Sequence, residues 1–224
     1  MKFDALGDSA LIINLADEIS DSSRLLARVL SAAETIERAK LSGVVDVTSS
    51  YESVAVFFDL THVEPDIEDK IRTLIASAGV RVSGKKRRVE IPVCYEEEFA
   101  LDLERVANHT SLTPDAIVAL HSSADYTVAC IGFMPGFPFL AGLPQQLCVP
   151  RLESPRTKVS AGSVAIANAQ AGVYPLESPG GWNVLGRTPV QLFRVDESPP
   201  TLLRPGDRVR FRRITRAEFE ACEK

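Results

Sequence analysis

Gly132-Phe133-Met134-Pro135-Gly136-Phe137-Pro138-Phe139-Leu140 opens the stretch that decides how this chain must be built. Residues 132–189 contain eight of the thirteen glycines and eight of the fourteen prolines. Helix cannot persist at that density of breakers, because proline removes a backbone donor and glycine gives up conformational restriction. Between the breakers lie short β-prone runs: Thr127–Ile131, Ser163–Ala167, Val190–Phe193 and Val209–Ile214. The pattern predicts a loop-rich, mainly-β domain, a small barrel or sandwich. In Val209–Ile214, Val209 and Phe211 alternate with Arg208, Arg210 and Arg212, as on a strand with one buried and one solvated face.

Outward from this stretch the pattern changes. Thr113 and Pro114 cap a helix whose apolar face is Ile117, Val118 and Leu120, and a shorter helix is expected over 102–108. Towards the N-terminus, Ala10–Leu15 reads as a strand and Ser22–Lys40 as an amphipathic helix. Val44–Thr48 and Val54–Phe58 form a hairpin across a polar turn. A second helix begins near Pro65, buries Ile67, Ile71, Leu74 and Ile75, and stops at Gly79. With Val89–Val93 as a further strand, the order is β-α-β-β-α-β, that of a ferredoxin-like α+β sandwich. The basic run Ser83–Arg88 is the candidate linker, so the expected domains are residues 1–84 and 85–224. Gly79–Lys86 has the spacing of a phosphate-binding loop. It carries Lys86 where a magnesium-binding hydroxyl belongs, and it leads into a strand, so that reading is rejected.

The net charge of -5 opposes non-specific nucleic-acid binding. No run approaches the ~20 apolar residues of a membrane span. The N-terminus lacks the features of a signal peptide, so a cytoplasmic location is expected. Cys94, Cys130, Cys148 and Cys222 lack paired metal-ligand spacing, and no metal is expected.

The chemistry is expected in the 132–189 loops, which hold Arg151, Arg156, Lys158 and Arg187 against Glu153 and Glu177. Guanidinium forks match carboxylate and phosphate oxygens. Arg156 and Arg187 are the leading anion binders and candidate catalytic groups, expected to converge on one concave site; pairing to backbone carbonyls is the alternative. His121, at a helix end, is either a proton carrier or a histidine bonded to carbonyls. Phe133, Pro135, Gln170, Trp182 and Thr188 are the candidate substrate contacts, with a core role equally open for Trp182. Phe133–Leu140 also reads as an apolar docking loop. No nucleophile with its base, and no nucleotide loop, is visible.

The run Tyr126–Leu140, then Pro155-Arg156, Ala161–Ile166, Gly172–Pro175, Ser178–Trp182 and Gly186–Pro189, resembles the Kip-inhibitor-like family, also called allophanate hydrolase subunit 1. That family includes the B-type subunits of bacterial 5-oxoprolinases. Ser160, where proline is expected, and Asn168-Ala169-Gln170, where glycines are commoner, depart from its pattern. The resemblance implies a ferredoxin-like domain followed by a cyclophilin-like β-barrel. It also implies a heteromeric enzyme, in which A-type, B-type and C-type subunits cleave 5-oxo-L-proline to L-glutamate with ATP, the ATP site not being assignable to this chain. Regulation of a sensor histidine kinase, and a carboxyltransferase role in a biotin-dependent urea carboxylase, are the other functions the family implies.

Overall fold

The computed structural model describes residues 1–78 and 87–222. The helix stop at Gly79, the phosphate-loop look-alike and most of the candidate linker lie outside these residues. The chain divides into two compact units, Met1–Lys86 and Arg87–Lys224.

In the first unit, strands β1 (Lys2–Ala5), β2 (Ala10–Asn14), β3 (Val44–Ser49) and β4 (Ser53–Phe58) form one antiparallel sheet, ordered β1-β2-β4-β3. Helices α1 (Ser22–Ala39) and α2 (Ile67–Ala78) supply the rest of the core. Asp21 caps α1 by accepting the Arg24 N–H, and Lys40 ends it in a left-handed conformation. Leu25, Val29, Ala32, Ala33 and Ile36 of α1 pack with Ile71 and Ile75 of α2 against Ile13, Val54 and Val56. The hairpin and both helices stand where the sequence places them. The remaining strand does not: Lys2–Ala5 completes this sheet beside β2, and residues 89–93 belong to the second unit. Periodicity shows that a run is a strand but not which neighbour it pairs with, and this is why the β-α-β-β-α-β assignment fails in its last element.

That displaced strand, β5 (Arg88–Cys94), is one stave of a closed barrel. The others are β6 (Tyr126–Ile131), β7 (Pro138–Ala141), β9 (Ser163–Ala167), β10 (Gln170–Val173), β12 (Asn183–Arg187) and β13 (Arg208–Ile214). β5 and β13 run parallel, paired from Arg88↔Arg208 to Cys94↔Ile214. On β13, Val209 and Phe211 are buried while Arg208, Arg210 and Arg212 face solvent, as the alternation requires. Val190–Phe193, read as a strand, is irregular apart from one bridge from Phe193 to Thr201. Pro189 offers no backbone donor to continue the ladder beyond β12.

β9 is buried on both faces, and this produces a second core. Val164 and Ile166 point into the barrel. Ala165 and Ala167 point outward, against Phe137, Val159, Tyr174, Trp182 and Val184. A two-stranded ribbon, β8 (Arg156–Val159) with β11 (Ser178–Gly180), contributes Val159 to this outer layer. Helices α3 (Leu103–Thr110) and α4 (Pro114–Ser123) contribute Val106, Ala107, Ile117 and Val118 to the barrel core. Thr113 caps α4 as its sequence indicates.

Each unit has its own apolar core. Residues 87–224 expressed alone are therefore expected to give a cooperative thermal transition with native near-ultraviolet circular dichroism. A non-cooperative melt would show that the second unit depends on the first.

Candidate functional site

The ribbon separates two clefts. At the end where Ser178 pairs with Val159, the loops 160–162 and 175–176 meet the end of β12. They enclose about 700 Å³ lined by Ala161, Gly162, Arg187, Thr188, Gln191 and Arg194, among others. Gly162 permits this approach. Its φ is +81°, and a Cβ there would collide with the Thr188 carbonyl oxygen. The Arg187 Nε donates to the Ala161 carbonyl at 2.9 Å, and its guanidinium carbon lies 5.7 Å from the Phe219 ring centroid. Arg187 is thus fixed through Nε, and no further hydrogen bond to its Nη atoms is found among the described residues. Thr188 is buried, and its Oγ1 accepts the Val190 N–H. On the surface Arg194 pairs with Glu197 at 2.6 Å and donates Nε to Gln191 Oε1 at 3.2 Å. The cleft presents two cations, Arg187 held through Nε and Arg194 shared with Glu197 and Gln191.

At the other end of the ribbon, where Gly180 pairs with Arg156, a smaller cleft of about 220 Å³ is walled by aromatic rings. Trp182 and Phe133 both line it. Trp182 is 6% exposed and belongs to the outer core, so it is both a core residue and a cleft wall.

Arg156 and Arg187 do not converge as expected; the structure separates them. Arg187 lines the large cleft, whereas Arg156 donates Nη1 to Asp102 Oδ2 at 2.9 Å and Nη2 to Asp102 Oδ1 at 2.7 Å. The carboxylate that Arg156 grips is the chain's own. Asp102 also accepts the Val184 N–H at 2.7 Å and donates its own N–H to the Val184 carbonyl. It thereby ties the segment entering α3 to β12 and β8.

His121 also departs from expectation. It is fully buried, stacked on Phe211 at 4.7 Å and hydrogen-bonded through Nδ1 to the Tyr95 hydroxyl at 2.8 Å. Burial lowers its pKa to about 3, so it is neutral at physiological pH and reaches neither cleft. It is a core histidine, not a proton carrier. Pro135 sits exposed in the turn, and Gln170 is half-buried at the start of β10, opposite Ala167; neither lines a cleft described above. Phe137 and Leu140 are buried, so the apolar docking surface expected over 133–140 shrinks to Phe133 and the half-buried Met134 and Phe139. Sequence reasoning misses Asp102, Tyr174 and Arg194. Asp102 reads only as a helix start, and Tyr174 as part of a Gly/Pro loop.

A family model described as carboxyltransferase domain, subdomain C and D, matches residues 1–203. The chain belongs to this family. Its motifs over 126–189 are the ones that carry the resemblance. The B-type subunit of the Bacillus subtilis 5-oxoprolinase is 39% identical over 98% of this chain and 95% of that protein. The B-type subunit of the Haemophilus influenzae 5-oxoprolinase is 43% identical over 75% of this chain and 78% of that protein. The crystal structure of TTHA0988 superposes with a TM-score of 0.79 at 36% identity, over 92% of this chain and 40% of that one. The Kluyveromyces lactis urea amidolyase superposes with a TM-score of 0.78 at 19% identity, over 98% of this chain and 15% of that one, a likeness of fold alone. Among the described residues, no helix is long and apolar enough to cross a membrane.

Proposed function

We propose that this carboxyltransferase-family chain is the B-type subunit of a heteromeric 5-oxoprolinase. With A-type and C-type subunits it opens the lactam of 5-oxo-L-proline to L-glutamate, coupled to ATP hydrolysis, in the cytoplasm. The carrying observation is the 39% identity, over nearly the full length of both chains, to a protein of that name. The ferredoxin-like description of the first unit and the cyclophilin-like description of the barrel belong to the same reading.

The geometry suits a binding subunit. A lactam must be activated before water can open it, and phosphorylation of its oxygen is the natural use of ATP. Phosphoryl transfer depends mainly on positioning and on neutralising charge. Arg187 and Arg194 offer positive charge to an anionic group in a cleft whose volume lies within the range of ligand sites. Arg156 acts indirectly, by holding the loops in place through Asp102.

The purified chain alone is expected to release no glutamate from 5-oxoproline and ATP, while co-expression with neighbouring A-type and C-type subunits gives a complex that does. In that complex Arg187→Lys should lower kcat/KM by about ten- to a hundredfold, the loss of a charged hydrogen bond of about 1.5–3 kcal/mol. Glutamate release by the chain alone, or by no combination of subunits, counts against the proposal. Unchanged kinetics in Arg187→Lys would remove the cleft from it.

A further inference from the structure

The smaller cleft differs from the arginine cleft in every respect that selects a ligand. Its walls are the rings of Phe133, Phe137, Phe139, Tyr174 and Trp182, and among the described residues its single charged lining residue is Arg151. The Arg151 guanidinium carbon lies 5.9 Å from the Trp182 ring centroid. Arg156 is neutralised by Asp102, but Arg151 has no acidic partner among the described residues. The cleft therefore pairs apolar walls with one uncompensated cation.

Its construction is specific. Asn183 donates Nδ2 to the Pro150 carbonyl at 2.9 Å and accepts the Arg105 Nε at 2.9 Å, fixing the backbone just before Arg151. Gly180 has no Cβ because the Tyr174 hydroxyl occupies that space. Burial raises the Tyr174 pKa, so the phenol stays protonated and can donate. At the mouth, Phe133 has a φ of 67° and is 66% exposed. A bulky side chain in left-handed backbone is a strained arrangement that clusters at binding sites. It holds the ring edge-on to Phe137 with centroids 5.5 Å apart, where a ligand would cover it.

About 220 Å³ falls below the range for whole drug-sized ligands and suits a single small ring. We infer that this aromatic cleft is a recognition site for a compact cyclic carboxylic acid, 5-oxoproline itself, with its carboxylate at Arg151 and its ring against Trp182 and Phe133. The inference rests on the 5-oxoprolinase reading and names where that substrate is recognised.

Trp182 is the chain's single tryptophan, so intrinsic fluorescence of the isolated protein reports this cleft directly. Titration with 5-oxoproline should give a saturable change. 2-Pyrrolidinone, the same ring without its carboxylate, should bind at least tenfold more weakly. Arg151→Gln, with an unchanged circular dichroism spectrum, should weaken 5-oxoproline binding about ten- to a hundredfold. In the reconstituted complex the same substitution should raise KM at least tenfold more than it lowers kcat. If the complex cleaves 5-oxoproline but KM is unmoved by Arg151→Gln, the inference falls and the enzyme assignment stands. Equal binding of the two ring compounds also overturns it. A complex that never cleaves 5-oxoproline removes the assignment and the inference together.

Discussion

Arg156→Ala lowers the unfolding free energy of the second unit by about 3–5 kcal/mol, the usual result of removing one partner of a buried ion pair. The size follows from what is left behind. Asp102 is 4% exposed and would keep the Val184 N–H as its remaining donor once both guanidinium bonds are gone. An under-compensated buried carboxylate is the costly product, more than the loss of the attraction itself. Arg156 is itself 29% exposed, so water reaching the vacated space places the effect towards the lower end. Asp102→Ala in the same background should be much less harmful than in the parent, because it removes the stranded charge. Urea unfolding followed by Trp182 fluorescence measures all four corners of the cycle. A loss below about 1 kcal/mol for Arg156→Ala would mean that water already serves Asp102.

Acid should destabilise the same unit through His121. Its folded pKa of about 3 lies below the ordinary value of 6.5, because burial disfavours the cation. For such a depressed pKa the unfolded state binds the proton first. The stabilisation is fully present above pH 6.5 and is lost as pH falls towards 3. The loss amounts to about 2 kcal/mol at pH 5 and about 4 kcal/mol at pH 3. Tyr95 and Tyr126, also buried against this ring, have raised pKa values and stay neutral throughout that range. Glutamine at position 121 can still accept from the Tyr95 hydroxyl but does not titrate. His121→Gln should therefore flatten the stability profile between pH 6.5 and 3 while lowering its plateau. An equally steep profile in the variant would show that carboxylates, not His121, control acid unfolding.

Local signals in the sequence are reliable where one face of an element is buried. Leu25, Val29 and Ile36 mark α1, Thr113 marks the start of α4, and Val209 with Phe211 sets the facing of β13. What cannot be read depends on pairing across distance. Lys2–Ala5 is four residues long and has too little alternation to announce a strand. Val89–Val93 is a plain strand by pattern, and only the ladder to residues 209–213 reveals which sheet owns it. The site divides in the same way. The Gly/Pro loops and their aromatics supply walls of both clefts, Arg187 and Thr188 in one and Phe133 and Trp182 in the other. No local pattern reveals that Arg156 is satisfied by an aspartate 54 positions earlier. Nor can spacing show that His121 faces inward, since a helix-terminal histidine has the same spacing in either orientation.

The parallel ladder between β5 and β13 also constrains the order of events during synthesis. The stave that begins at Arg88 finds its neighbour at Arg208, so the barrel cannot shut until residues 208–214 have left the ribosome. Everything between them must wait with an unsealed seam, its apolar lining from Tyr126 to Leu185 within reach of solvent and of other nascent chains. The first unit, whose sheet and helices lie wholly within residues 1–78, has no such dependence and can fold while the rest is still being translated. A chaperone that shields emerging polypeptide should thus engage this protein late, and a ribosome stalled before residue 208 should display a folded head on a protease-sensitive tail.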